Sequence, residues 1–157
     1  MSVAFRRESD DEHLEPRFER PIPAGPNLVT SRGLAHIQDQ LAQVEARLAG
    51  PGLDEEAIKA ARRDLRYWST RLATAQVMPP PEGDVVAFGA VVTLRYNGRV
   101  RTVTLVGDDE ADPAAGLLSF TAPLARAIMG AEPGESVDFG GKADAVEVLA
   151  ITLPGAV

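Results

Sequence analysis

One stretch of this chain, Thr30 to Met78, constrains its fold more than any other. Apolar residues stand at Leu34, Ile37, Leu41, Val44 and Leu48, alternately three and four apart. After Gly50-Pro51-Gly52 the rhythm resumes at Ile58, Ala61, Leu65, Trp68, Leu72 and Ala75. This spacing gives each helix one narrow apolar seam, as in a coiled-coil partner. Only a few residues separate the two seams, so folding back into an antiparallel hairpin is the simplest way to bury both.

Thr30 is placed to cap the first helix, expected over Ser31 to Ala49, because its hydroxyl can accept from an orphan amide of the first turn. Gly50 and Pro51 end that helix. Asp54 is placed to cap the second, with Glu55 and Glu56 in the first turn, where the helix dipole favours negative charge. His36 lies beside the seam and is expected to face solvent. Arg62, Arg63 and Arg66 form a basic cluster off the seam, and Val77-Met78-Pro79-Pro80-Pro81 is expected to stop the second helix.

The chain on either side reads differently. Residues 1–29, with four Arg, six acids and few apolar residues, read as a disordered arm, either a solvated tail or a partner-binding peptide. Residues 79–84 read as a stiff linker. From Val85 the period changes to two. Val85 to Phe88, Ala90 to Tyr96, Val100 to Val106, Leu117 to Thr121, Val137 to Phe139 and Ala145 to Leu153 read as strands. Asn97-Gly98 is a two-residue hairpin turn, and Pro123 opens a short helix closed by Gly130. The expected class is α+β: an antiparallel helical hairpin over residues 30–78, then an antiparallel sheet with one short helix over residues 85–157.

Composition limits the chemistry. With no Cys and only two His, the chain has no disulfide framework, thiolate metal site or evident zinc centre. Gly140-Gly141-Lys142 lacks the spacing and hydroxyl of a phosphate-binding loop, and no Gly-x-Ser-x-Gly is present. The expectation is a protein that is not an enzyme. No apolar run is long enough to span a bilayer and the first residues carry no signal-peptide core, so a cytoplasmic protein without membrane contact is expected. Residues 78–157 carry five basic groups against eleven acids, which argues against direct binding to a nucleic-acid duplex and suits docking on a basic protein surface.

Val106-Gly107-Asp108-Asp109-Glu110-Ala111-Asp112, then Leu118-Ser119-Phe120-Thr121-Ala122-Pro123-Leu124-Ala125-Arg126-Ala127-Ile128-Met129-Gly130 and Pro133-Gly134-Glu135, resembles the C-terminal domain of the bacterial transcript cleavage factors GreA and GreB. Thr30-x-x-Gly33-Leu34, Ala75-Gln76-Val77 and the segment around Phe88-Gly89-Ala90 extend the likeness over residues 28 to 153. The resemblance implies an FKBP-like body that binds RNA polymerase at the rim of its secondary channel. It also implies a coiled coil that enters the channel and contacts RNA or DNA only within the elongation complex. Asp108, Asp109, Glu110, Asp112, Ala122, Pro123 and Arg126 would then be polymerase-binding candidates, with Arg126 alternatively a salt-bridge partner for nearby acids. Arg62, Arg63 and Arg66 resemble the family's RNA-facing basic patch, or are a solvated helix face. Fold likeness alone does not carry prolyl isomerase activity.

In the family, tip carboxylates help hold a second Mg²⁺ in the polymerase active site; the factor itself has no resident cofactor. Here the family's tip motif is missing and Gly50-Pro51-Gly52-Leu53-Asp54-Glu55-Glu56 stands in its place. Asp54, Glu55 and Glu56 are therefore either substitute metal-binding acids or simply capping and dipole groups. The hairpin is several turns shorter than the resemblance calls for, at about 5.4 Å per turn. The sequence thus suggests a polymerase-binding elongation regulator with weak or no cleavage stimulation. The alternatives are an active cleavage factor using Asp54, Glu55 and Glu56, and an interaction module for some other protein. Ala122 stands where the family usually has Ser, so a cap acceptor is missing unless Thr121 supplies it.

Overall fold

The computed structural model describes residues 19–154. In chain order the elements are β1 (Leu28–Val29), α1 (Ser31–Ala49), α2 (Glu55–Thr74), β2 (Gln76–Val77), β3 (Val91–Tyr96), β4 (Arg99–Val106), a 3₁₀ turn (Pro113–Ala115), β5 (Leu117–Ser119), α3 (Pro123–Ile128), β6 (Ser136–Phe139) and β7 (Lys142–Thr152). The class is α+β, with two N-terminal helices followed by an antiparallel-rich sheet. The described residues divide into two compact units: 19–25 with Ile37–Thr74, and Pro26–His36 with 75–154. The reading of residues 1–18 as a disordered arm lies outside the described residues.

In the helical unit the heptad spacing does what its period requires. Ile37, Val44, Ala61 and Trp68 are buried, while Leu41, Leu48, Ile58, Leu65 and Leu72 are half-buried. Both helices start where their caps stand. The Thr30 hydroxyl accepts from Gly33 N–H at 2.9 Å, and Asp54 Oδ1 accepts from Ala57 N–H at 2.8 Å. Gly52 takes φ 87° in the connection, a conformation that suits glycine. Across the hairpin Arg47 pairs with Asp64 at 3.1 Å.

Two features of the helices depart from the sequence reading. Tyr67 and Arg71, which the seam pattern omits, are buried with 8% and 2% exposure. The second helix also stops at Thr74, not Met78. Gln76–Val77 leaves it as β2 and pairs in parallel with Leu28–Val29, residues assigned by sequence to the arm and here forming β1. Gln76 N–H donates to the Asn27 carbonyl at 2.8 Å and Met78 N–H to that of Val29 at 2.9 Å. A two-residue strand has no period of its own, so its partner defines it. His36 is half-buried and partnered, not fully solvent-facing.

In the second unit five strands form one sheet in the order β5-β4-β3-β7-β6. Asn97 and Gly98 take φ 53° and 74°, as a two-residue hairpin between β3 and β4 requires. Val92 and Leu94, Val103 and Leu105, and Val146 and Val148 are buried together with Leu124, Ala125 and Ile128 of α3. β7 keeps its apolar face inward by a bulge. Leu94 is opposite Val148 but Thr93 is opposite Ala150, and the skipped Leu149 switches the parity so that Ile151 faces Val92.

Two strand expectations are corrected. Val85 to Phe88 is not a strand of the sheet: Val86 instead exchanges two backbone bonds with the end of α3, donating to Ala131 and accepting from Gly130. The expected all-antiparallel pattern fails at one edge, where β5 runs parallel to β4, Thr104 opposite Leu117. The 107–116 segment between them is long enough to return the chain to the same end.

Leu105 is fully buried, so Leu105→Ala is expected to lose about 2–5 kcal/mol in urea unfolding followed by circular dichroism. Val100, 58% exposed, should tolerate Ala within about 0.5 kcal/mol in the same measurement.

Candidate functional site

The residues singled out by sequence fall in three places: the acidic loop with the start of α3, the tip between α1 and α2, and one face of α2. The acidic loop is held from both sides. Asp108 Oδ1 accepts from the Ser119 hydroxyl at 2.6 Å and the Thr121 hydroxyl at 2.9 Å, while Ser119 Oγ accepts from Thr121 N–H at 3.1 Å. Asp108 thereby ties the loop to the segment that enters α3. Glu110 Oε1 accepts from the Thr30 hydroxyl at 2.6 Å, so one threonine both caps α1 and holds the loop.

Two glycines make this arrangement possible. A Cβ on Gly33 would stand 2.9 Å from Glu110 Oε1, and one on Gly107 would run into the Leu28 carbonyl oxygen. Gly33 is thus kept small by the carboxylate that packs on it, and Gly107 by the backbone of β1.

The seven polymerase-binding candidates are not equivalent. Asp108 and Glu110 are half-buried and engaged within the fold; Asp109 is half-buried and partnered. Asp112 uses its backbone, donating to and accepting from Leu117, and its side chain is exposed. Ala122 is the N-cap of α3, with no side-chain cap bond; Arg126 N–H closes the first turn on its carbonyl at 3.0 Å. Thr121 does not substitute as the cap: Ala122 holds the N-cap position without a side-chain cap bond, and the Thr121 hydroxyl donates to Asp108. Pro123 and Arg126 are exposed, and among the described residues Arg126 pairs with no carboxylate, so the salt-bridge alternative is not realised. The outward-facing set is therefore Asp112, Pro123 and Arg126.

At the tip, Asp54, Glu55 and Glu56 are exposed, and Asp54 is occupied as the helix cap. Among the described residues no group of three acidic or His side chains is placed to hold a metal ion.

On α2, Arg62 is exposed, Arg63 is half-buried with a partner, and Arg66 binds Glu19 through its Nε, at 3.0 Å, and its Nη2. Hydrogen bonds from Arg66 hold the Glu19 carboxyl below its usual range, helped by the charges of Arg66 and Arg63 and opposed by desolvation. Acids on the same helix include Glu55 and Asp64. Asp64 pairs with Arg20 and Arg47, and it is Glu19 that meets Arg66. Sequence spacing shows only neighbours on the same helix, and Glu19 comes from a segment 47 residues away.

Comparison with known proteins assigns the family. The family model "Transcription elongation factor, GreA/GreB, C-term" matches residues 80–153. The GreA of Verminephrobacter eiseniae is 33% identical over 136 residues, covering 70% of this chain and 85% of that protein. The chain belongs to the GreA/GreB family of transcription elongation factors.

Among other relatives, the GreA of Desulfovibrio desulfuricans is 38% identical over 93 residues, 57% of each chain, so that match takes in just over half of the relative. The GreB of Neisseria meningitidis is 42% identical over 79 residues, 48% of each chain. Among solved structures, the GreA factor homolog 1 (Gfh1) of Thermus thermophilus is 21% identical over 82% of this chain and 99% of that one, at a TM-score of 0.37. A GreA/GreB factor from Nitrosomonas europaea is 23% identical over 80% and 98%, at 0.39. In this GreA/GreB protein the Thr30-x-x-Gly33 helix start and the acidic loop meet in one hydrogen-bonded knot.

Thr30→Val keeps the shape of residue 30 but removes both the cap and the bond to Glu110. It is expected to cost about 1–3 kcal/mol in urea unfolding, whereas Thr30→Ser should restore most of the loss.

Proposed function

We propose that this protein binds RNA polymerase at the rim of the secondary channel and occupies the channel with its hairpin, stimulating transcript cleavage weakly or not at all. The acidic loop and the start of α3 form the docking surface, offering Asp112, Pro123 and Arg126 outward while Asp108 and Glu110 set the loop's shape. Complementary charge on a basic polymerase surface steers and orients such an encounter.

The observation that carries this reading is the reach of the hairpin. α1 and α2 have 19 and 20 residues, about 28 and 30 Å at the usual rise. The resemblance to GreA and GreB calls for several more turns, and every missing turn withdraws the tip by about 5.4 Å. Metal coordination distances hold within about 0.2 Å, so a carboxylate arriving one turn short contributes no ligand. Asp54 is in addition committed to its helix. The protein then acts by occupancy, competing for the channel with longer factors, and carries out no chemistry of its own. In this it resembles the short-hairpin regulator of nucleoside diphosphate kinase.

In a pull-down with core polymerase, the protein is expected to be retained, and Arg126→Ala to weaken retention. With a purified backtracked complex it is expected to leave the transcript uncleaved and to inhibit cleavage by an added long-hairpin factor. Robust cleavage abolished by joint Ala substitution of Asp54, Glu55 and Glu56 would establish the cleavage-factor alternative. Absence from the polymerase pull-down would establish an unrelated interaction module.

A further inference from the structure

On the sheet face turned away from α3, the second unit carries a cavity of about 450 Å³. Strand register builds its floor. Val91 stands opposite Thr104 and Thr104 opposite Leu117, whereas Val92, Val103 and Leu105 alternate to the other face and join α3 in the core. Pro79 to Pro81 forms a wall, and Pro81 packs so closely on Gly89 that a Cβ there would stand 3.3 Å from its Cδ. Two of the lining side chains are charged: Arg32, in the first turn of α1, and Glu110, from the acidic loop. All of these residues belong to the same compact unit.

Neither charge is neutralised by the fold. Among the described residues Arg32 makes no ion pair, and the Glu110 carboxylate accepts one hydrogen bond, from the Thr30 hydroxyl at 2.6 Å. That bond and the packing on Gly33 hold the carboxylate in place, so it is oriented before any ligand arrives.

We propose that this cavity is a site for a free amino acid with an apolar side chain. Its ammonium donates to Glu110, its carboxylate accepts from Arg32, and its side chain lies against Pro79 to Pro81 and Leu117. Small-molecule sites are typically cavities of about 300–1,000 Å³ with apolar walls and a few polar groups that fix orientation. A simple amine or carboxylic acid would leave one of the two charges unmatched. A residue inside a peptide carries neither backbone charge. The apolar zwitterion matches both charges and the wall, and bridges the acidic loop to the first turn of α1. The site lies on the opposite side of the sheet from α3 and requires no polymerase, so its failure would leave the docking reading standing.

The experiment titrates L-phenylalanine into the isotope-labelled full chain and follows the amide resonances. Phenethylamine and 3-phenylpropanoate serve as probes that each keep one charge. Saturable shifts are expected at Arg32, Val91, Thr104, Glu110 and Leu117, and each probe should bind about threefold to tenfold more weakly than the amino acid. Glu110→Gln keeps an acceptor for Thr30 and should abolish the advantage of L-phenylalanine over 3-phenylpropanoate. Arg32→Gln, at an exposed position that folding does not depend on, should abolish the advantage over phenethylamine. Arg99→Gln, exposed at the start of β4, should leave the affinity within about twofold. Shifts that fail to saturate by about 20 mM would overturn the proposal. So would a probe that binds as tightly as the amino acid, unchanged affinity in Arg32→Gln or Glu110→Gln, an equal loss in Arg99→Gln, or saturable shifts confined to other residues.

Discussion

The two-residue parallel pairing of Leu28–Val29 with Gln76–Val77 is the constraint on which the rest of the structure depends. It holds the chain entering α1 beside the chain leaving α2, while the Gly50 to Asp54 connection joins their other ends. With both ends fixed, two seams of nearly equal length must lie antiparallel and in register. Few hydrogen bonds are involved, yet they act on 45 residues of helix and turn between Thr30 and Thr74. The backbone also meets Gly107 at close range here, which explains why a side chain is excluded at that position.

Around this pairing, carboxylates with apparently similar sequence contexts have taken different tasks. Asp108 and Glu110 accept hydrogen bonds from hydroxyls, which leaves them shaping the loop. Asp112 keeps its side chain free because its backbone makes the contacts with Leu117. Asp54 is spent on the first turn of α2. Geometry distinguishes the acids that build the loop from those it presents. The same separation operates on α2, where Arg66 is engaged by Glu19 and Arg62 is open to solvent.

What the amino-acid order determined by itself is whatever depends on neighbours in the chain. The seam from Leu34 to Leu72, the caps at Thr30 and Asp54, the Asn97-Gly98 turn and the Pro123 helix all follow from local spacing and local hydrogen bonding. For that reason the α+β class and most element boundaries are legible without coordinates. Tertiary structure alone decided β1 and β2, which are too short to show a period, and the parallel edge strand, whose direction depends on the path of the 107–116 segment. The same holds for the fate of Val85 to Phe88, drawn out of the sheet by bonds to the end of α3, and for the partners of Asp64, Arg66 and Glu110. Those partners come from 44, 47 and 80 residues away, and nothing in a linear pattern encodes which distant charge will arrive at a given side chain.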